Sequence, residues 1–239
     1  MIRGVIFDVG ATLIDFPAID SPEVEAGVKN VADVVASWSP LDVPVFCQQL
    51  GTAIRNSPKQ GANFRQIGTY RDVIAGVTAA YLPGVTQVQL QRLEHTFIQP
   101  ILKGISPVDG MTEVVGLLRT RARLAVASNT RAHDLIRAAL EQTDILKFFS
   151  PFVTSVSCGY RKPGERIFEE VLSAWSVQPE SVVMIGDKLD RDIRGAAALR
   201  IRTVWLDRNH ESFSALPDAT ATRPSDILAV LETWGLDKP

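Results

Sequence analysis

Four short apolar runs, Ile2 to Phe7, Leu124 to Ala127, Val182 to Ile185 and Thr203 to Leu206, constrain the fold of this chain more than any other feature. Each is too short for a helix and gives way to a polar or small residue, as a strand buried on both faces does where it opens into a loop. Around the last three lie stretches of helical periodicity: Met111 to Thr120, Arg131 to Glu141, Glu165 to Trp175 and Arg191 to Leu199. Strand alternating with helix predicts an α/β architecture, a parallel sheet covered on both faces and joined by right-handed crossovers.

Residues 17–104 break that alternation. No strand is legible there, and amphipathic stretches predict helices over Glu23 to Trp38, Val45 to Asn56, Phe64 to Tyr81 and Gln87 to Leu102, punctuated by Ser39-Pro40, Ser57-Pro58 and Pro83-Gly84. The chain therefore reads as a core of residues 1–16 and 105–239 with a helical domain, residues 17–104, inserted after the first strand. Ligands of open α/β sheets bind outside the carboxyl ends of the strands, which is where the chain leaves and rejoins the core. The insertion is expected to lie over that site as a lid, hinged near Phe16 to Ser21 and Gly104 to Val108. The tail, Leu236 to Pro239, is expected to fray.

Composition excludes several classes. With 46% hydrophobic and 22% charged residues, 239 residues suit a globular protein with a substantial core. A net charge of −2 gives no general attraction to nucleic acid or anionic lipid, so an anionic ligand needs a local site. Cys47 and Cys158 are too few and too far apart for a metal or disulfide framework and read as two buried thiols in a reducing compartment. His95, His133 and His210 show no ligand spacing. The N-terminal run is interrupted by Asp8 and Asp15, which rules it out as a signal-peptide core, and no run is long enough to span a membrane. The expectation is a cytoplasmic protein with no nucleic-acid or membrane partner.

The chemistry lies where the apolar runs end. Asp8, in Phe7-Asp8-Val9-Gly10-Ala11-Thr12-Leu13, is placed as a carboxylate nucleophile that could attack phosphorus. Ser128 and Asn129 are hydrogen-bond donors for phosphoryl oxygens. Lys162, in Arg161-Lys162-Pro163, brings positive charge to an otherwise acidic pocket, with Pro163 read as the first residue of a helix. Asp187 and Asp192, in Gly186-Asp187-Lys188-Leu189-Asp190-Arg191-Asp192, together with Asp8 make an oxygen-rich set suited to Mg²⁺. Read singly, each segment has a plain alternative: a capping aspartate, a turn, a surface helix start, a solvated acidic loop.

Taken together and in order, the four segments resemble the four motifs of the haloacid dehalogenase superfamily, in the branch with a helical, C1-type cap between motifs one and two. The resemblance implies a Rossmann-like core under an inserted helical cap, an Mg²⁺ cofactor and a small phosphorylated or otherwise anionic metabolite as partner. It assigns Asp8, Lys162 and Ser128 to catalysis, Thr12, Ser128, Asn129 and Lys162 to substrate binding, and Asp8, the Gly10 carbonyl, Asp187 and Asp192 to the metal.

One position departs from the pattern. Gly10 stands where most phosphatases of the superfamily carry a second aspartate, the general acid and base, whose loss usually costs about 10²- to 10⁴-fold in rate. A phosphatase with a compensating acid, or with good leaving groups, is one reading. A carbon–phosphorus hydrolase is another; such family members carry a small residue here and form a Schiff base on a cap lysine, for which Lys29 and Lys59 are the cap lysines available. Dehalogenases also lack this aspartate, but they lack the first carboxylate of motif four, which this chain retains as Asp187. A phospho-ligand binding or regulatory protein that has lost turnover is the fourth. Arg55, Arg65, Tyr70 and Arg71 are polar residues of the insertion near possible loop ends, with no assigned role.

Overall fold

The computed structural model describes residues 1–210 and 216–236. In chain order the elements are β1 (Gly4–Phe7), β2 (Ile14–Asp15), α1 (Pro22–Ala36), α2 (Val43–Asn56), α3 (Tyr70–Thr78), α4 (Gln87–Lys103), β3 (Ser106–Pro107), α5 (Met111–Leu118), β4 (Arg123–Ser128), α6 (His133–Gln142), β5 (Phe149–Thr154), α7 (Ser155–Cys158), α8 (Arg166–Trp175), β6 (Val182–Gly186), α9 (Arg194–Ala198), β7 (Arg202–Leu206), β8 (Ala219–Ala221) and α10 (Pro224–Thr233). Two compact units result, one of residues 1–15, 62–65 and 106–239 and one of residues 16–61 and 66–105.

The first unit is built on a six-stranded parallel sheet in the order β5-β4-β1-β6-β7-β8. The four apolar runs are its four inner strands. Every residue of β1 and β6 is buried, the signature of strands sandwiched between helical layers. On one face Ile6, Ala125, Val182 and Met184 pack with Ile167, Phe168, Val171 and Trp175 of α8, and each such large side chain contributes about 1.5–3 kcal/mol by leaving water. The two outer strands escaped the sequence reading for physical reasons. β5 carries Pro151, which has no N–H for a ladder and is tolerated because β5 lies at the edge; β8 is only three residues long.

Where the chain departs from the core and returns, β2 and β3 form an antiparallel pair, with Ile14 opposite Pro107 and Asp15 opposite Ser106, and the Val108 N–H donates to the Leu13 carbonyl at 3.0 Å. The second unit is helical, as expected: Ser21, Asp42, Thr69 and Thr86 cap α1 to α4 with their side chains. The expected helix over Phe64 to Tyr81 is corrected to α3 alone. Asn63, Phe64 and Gly68 all have positive φ, which no helix accommodates, and the Thr69–Asp72 capping box starts the helix afresh. Residues 62–65 group with the core instead, where the Phe64 carbonyl accepts from the Arg161 N–H at 2.7 Å.

Three further expectations are corrected. Pro163 does not open a helix; residues 162–165 form a turn and α8 begins at Arg166. The expected helix over Arg191 to Leu199 is a π-helical turn, Leu189–Ile193, leading into α9. Both cysteines are half-buried rather than buried. Among the described residues no helix is long and apolar enough to cross a membrane. Of the tail expected to fray, Leu236 is buried, while residues 237–239 lie outside the described residues.

Candidate active site

Asp8 follows β1 directly, and its N–H extends the ladder to the Ile185 carbonyl of β6 at 2.9 Å. The next five residues fold tightly, with the N–H groups of Thr12, Leu13 and Ile14 all directed at the Val9 carbonyl. Ala11 takes a left-handed φ of 56° to make this turn, a conformation that costs a non-glycine residue about 1–2 kcal/mol. Gly10, half-buried, is not among the positive-φ glycines. The turn therefore places its left-handed residue at Ala11 rather than at Gly10. Thr12 is fully buried, and its hydroxyl has no hydrogen-bond partner among the described residues. An orphaned buried hydroxyl costs about 1–3 kcal/mol unless a ligand meets it.

Lys162 is 1% exposed and gathers three oxygens around its ammonium: Asp8 Oδ1 at 2.6 Å, Asp192 Oδ1 at 2.7 Å and the Ala127 carbonyl at 2.6 Å. Burial works against its charge, but Asp192 and Asp8 outweigh that and raise its pKa, so it is protonated at any neutral pH. Asn129 holds it in place. The Asn129 amide donates to the Lys162 carbonyl at 2.9 Å and accepts from the Lys162 N–H at 2.8 Å, so most of the side chain predicted to reach substrate is engaged with the Lys162 main chain. Ser128 ends β4, next to Asn129, and is 2% exposed.

The remaining carboxylates come from the far end of β6. Asp187 follows Gly186; its Oδ2 lies 2.8 Å from Lys188 Nζ, and its carbonyl accepts from Trp205 Nε1 at 3.0 Å. Asp192 reaches the site because the π-helical turn carries it back toward the strand end, where its Oδ2 accepts from the Lys188 N–H at 2.9 Å. A β-carbon on Gly186 would lie 2.5 Å from the Asp192 side chain, so only glycine permits this approach. Asp190 points elsewhere, exposed and 3.6 Å from Arg191. Burial raises the pKa of both Asp187 and Asp192, with Lys188 opposing the rise at Asp187 and Lys162 at Asp192.

Asp8, Asp187 and Asp192 each offer an oxygen within 4.8 Å of the others. Three carboxylates outnumber the buried Lys162 ammonium and the half-exposed Lys188 beside Asp187, so the site keeps a net negative charge that a cation can meet, and an all-oxygen donor set suits Mg²⁺. The residues present thus fit the metal on charge and on donor type. Lys162→Met would remove the buried counter-charge that bridges Asp8 and Asp192. We expect metal-free protein to lose about 3–5 kcal/mol of stability, read from denaturant unfolding. Asp192 then binds its proton more tightly in the folded than in the unfolded protein, so the loss is fully present at neutral pH and shrinks as pH falls through the raised range of that carboxyl. Mg²⁺ should recover part of it.

The haloacid dehalogenase-like hydrolase family model matches residues 2–200. The chain belongs to that family. Among relatives of this hydrolase, pyrimidine 5′-nucleotidase YjjG of Escherichia coli K12 is 22% identical over 210 residues, covering 86% of each chain. Glyceraldehyde 3-phosphate phosphatase of Pyrococcus furiosus is 24% identical over a 260-residue alignment covering 97% of this hydrolase and 93% of the relative. In fold it is similar to the 2-haloacid dehalogenase of Pseudomonas syringae pv. Tomato DC3000, with a TM-score of 0.69, 22% identity, and coverage of 98% and 100% of the two chains. The enzyme is thus a hydrolase whose named relatives include phosphatases.

Sequence reasoning missed two features of this region. Arg208 binds Asp15 bidentately at 2.7 and 2.9 Å and reaches the Ala11 carbonyl at 3.4 Å, bracing the nucleophile turn from the loop after β7; nothing local marks an arginine 193 positions from its partner. The Ala127 carbonyl that receives Lys162 is a main-chain atom and carries no residue signature. Of the polar residues noted in the insertion, Arg71 pairs with Glu94 at 2.5 Å and Tyr70 packs edge-on against Phe97 within the helical unit, while Arg65 bridges to Tyr160.

Proposed function

We propose that the protein is a cytoplasmic, Mg²⁺-dependent phosphohydrolase acting on small phosphorylated metabolites, with no nucleic-acid or membrane partner. Residues 1–16 and 105–239 are its catalytic core, and residues 17–104 its cap. The observation that carries this reading is the convergence of Asp8, Asp187 and Asp192 around the buried Lys162. The names of the relatives, a nucleotidase and a sugar-phosphate phosphatase, favour a phosphomonoester as substrate.

In this reading the Asp8 carboxylate attacks phosphorus, the ester P–O bond breaks and an aspartyl-phosphate forms; water then cleaves it and restores the carboxylate. Lys162 holds the Asp8 carboxylate through Oδ1 and offsets the repulsion between nucleophile and phosphate. Ser128 and the Thr12 hydroxyl donate to phosphoryl oxygens, and Asn129 fixes Lys162. Asp8, Asp187, Asp192 and the Gly10 carbonyl would hold Mg²⁺, which when bound supplies positive charge to the phosphoryl group. With Gly10 in place of the usual acid, the leaving group departs without a proton from that position, which favours good leaving groups.

The test is an assay on an aryl phosphate, whose leaving group needs little protonation. Turnover is expected with Mg²⁺, with complete loss in a chelator and recovery when Mg²⁺ is returned. Gly10 favours one rival, a phospho-ligand binding protein without turnover. Absence of aryl phosphate hydrolysis at any Mg²⁺ concentration would sink the enzymatic reading in favour of that rival.

A further inference from the structure

The two main-chain segments that carry Asp8, Gly10 and Asp187 leave neighbouring strands, β1 and β6. The bond from the Asp8 N–H to the Ile185 carbonyl, at 2.9 Å, closes the pairing of those strands, and Gly10 and Asp187 both lie past it. How far apart these two turns stand is therefore decided by what holds them beyond the sheet. Side chains do not fill the space: Ala11 and Asp187 line one cavity of about 40 Å³. Trp205 and Arg208, from the end of β7 and the loop after it, line the same cavity, and each binds one of the two turns through its main chain.

Trp205 is buried and stands opposite Gly186 in the β6–β7 pair, which sets its ring beside the start of the acidic turn. Its Nε1 donates to the Asp187 carbonyl at 3.0 Å, on the same residue whose carboxylate meets those of Asp8 and Asp192. Arg208 grips the other turn. Its guanidinium takes both oxygens of Asp15, at 2.7 and 2.9 Å, and reaches the Ala11 carbonyl at 3.4 Å. The Ala11 N–H donates to the Ile14 carbonyl at 2.8 Å, so the arginine holds the turn at its left-handed corner and again at its exit. With side chains 34% and 41% exposed, the Arg208–Asp15 pair adds little to stability, and its value lies in geometry: the planar fork fixes direction as well as distance. Its charge works against a bound cation. The hydrogen bond and charge of Asp15, with Asp187 at longer range, raise the Arg208 pKa, so a permanent positive charge stands within the field of Asp187. Loss of that charge alone would tighten metal binding, whereas loss of the grip would loosen it.

We propose that Trp205 and Arg208 are positioning residues for the metal: by holding the main chain at Asp187 and at Ala11, they fix the spacing of the two turns whose Asp187 carboxylate and Gly10 carbonyl would hold Mg²⁺. This rests on the metal site of the phosphohydrolase reading and adds to it the residues that set its affinity. Neither side chain touches the metal. Groups that orient metal ligands from behind typically govern about 10- to 100-fold of affinity.

The experiment is a calorimetric titration of Mg²⁺ into the full, substrate-free chain. Trp205→Phe keeps an aromatic ring and removes the N–H; it is expected to weaken Mg²⁺ binding about tenfold or more. Arg208→Met removes the fork and the charge together and is expected to weaken binding as well, against the sign of the charge change. Arg208→Lys keeps the charge without the fork and should also bind Mg²⁺ more weakly than the natural protein. The Mg²⁺ concentration for half-maximal turnover of an aryl phosphate should rise by the same factor in each variant. Unchanged Mg²⁺ affinity in Trp205→Phe or in Arg208→Met would overturn the role of that residue. Tighter binding in Arg208→Met, with Arg208→Lys equal to the natural protein, would overturn the grip and leave Arg208 a charge only. No Mg²⁺ binding by the natural protein would overturn the metal site, and the phosphohydrolase reading with it. Should Trp205→Phe fail to fold, the sign of the change at the half-exposed Arg208 decides.

Discussion

Asp8→Asn is expected to remove turnover of any phosphomonoester by about 10⁴-fold or more, with the fold intact. Loss of a nucleophile is among the largest single-residue effects known in hydrolases, because no other group inherits its position. Here the position is over-determined: the Asp8 N–H is bonded to the Ile185 carbonyl, the following turn is closed on Val9, and Lys162 fixes one carboxylate oxygen. Asparagine preserves shape and can still accept from Lys162 through its amide oxygen, so the unfolding transition should stay within about 1 kcal/mol of the natural protein. An amide does not add to phosphorus. Steady-state kinetics on an aryl phosphate read the first effect and denaturant unfolding the second. Residual activity above one part in a hundred would mean that water, activated by another group, is the nucleophile.

How much of this was legible in the sequence follows from what carries each signal. The inner strands announce themselves because β1 and β6 are buried on both faces, which forces uninterrupted apolar runs. β5 does not, because an edge strand tolerates Pro151 and half-exposed residues that blur any pattern. Asp8, Asp187 and Asp192 were legible since each sits where a strand or its following turn ends, whereas Lys162, which lies beyond α7, was legible only from its Arg161-Lys162-Pro163 segment. Their convergence was not, because it depends on Gly186 admitting Asp192 and on a π-helical turn that has no sequence period of its own. Asn129 shows the limit best: its type and place were readable as a donor, yet the structure sets it against the Lys162 backbone.

Gly10→Asp is expected to raise hydrolysis of alkyl phosphates by about 10²- to 10⁴-fold, the range a positioned general acid and base contributes, or roughly 3 to 5 kcal/mol of barrier. No left-handed φ opposes the exchange, since that position falls on Ala11 and not on Gly10. Ala11→Gly would release the strain there and makes the natural companion change, so that any stability lost on adding a half-buried carboxylate is offset. The gain should depend on the leaving group: large for an alkyl phosphate, whose alkoxide needs a proton, and small for an aryl phosphate, whose phenoxide does not. Comparing kcat/KM on the two substrates in natural protein and variant therefore measures the proton transfer itself. A uniform gain on both would show that the new carboxylate acts through the metal or the fold instead. No gain on either would mean that another residue already supplies the proton, in which case Gly10 is no deficit. Alkyl phosphate turnover that arises only in the variant would mark the natural protein as a binding scaffold for which one side chain separates recognition from catalysis.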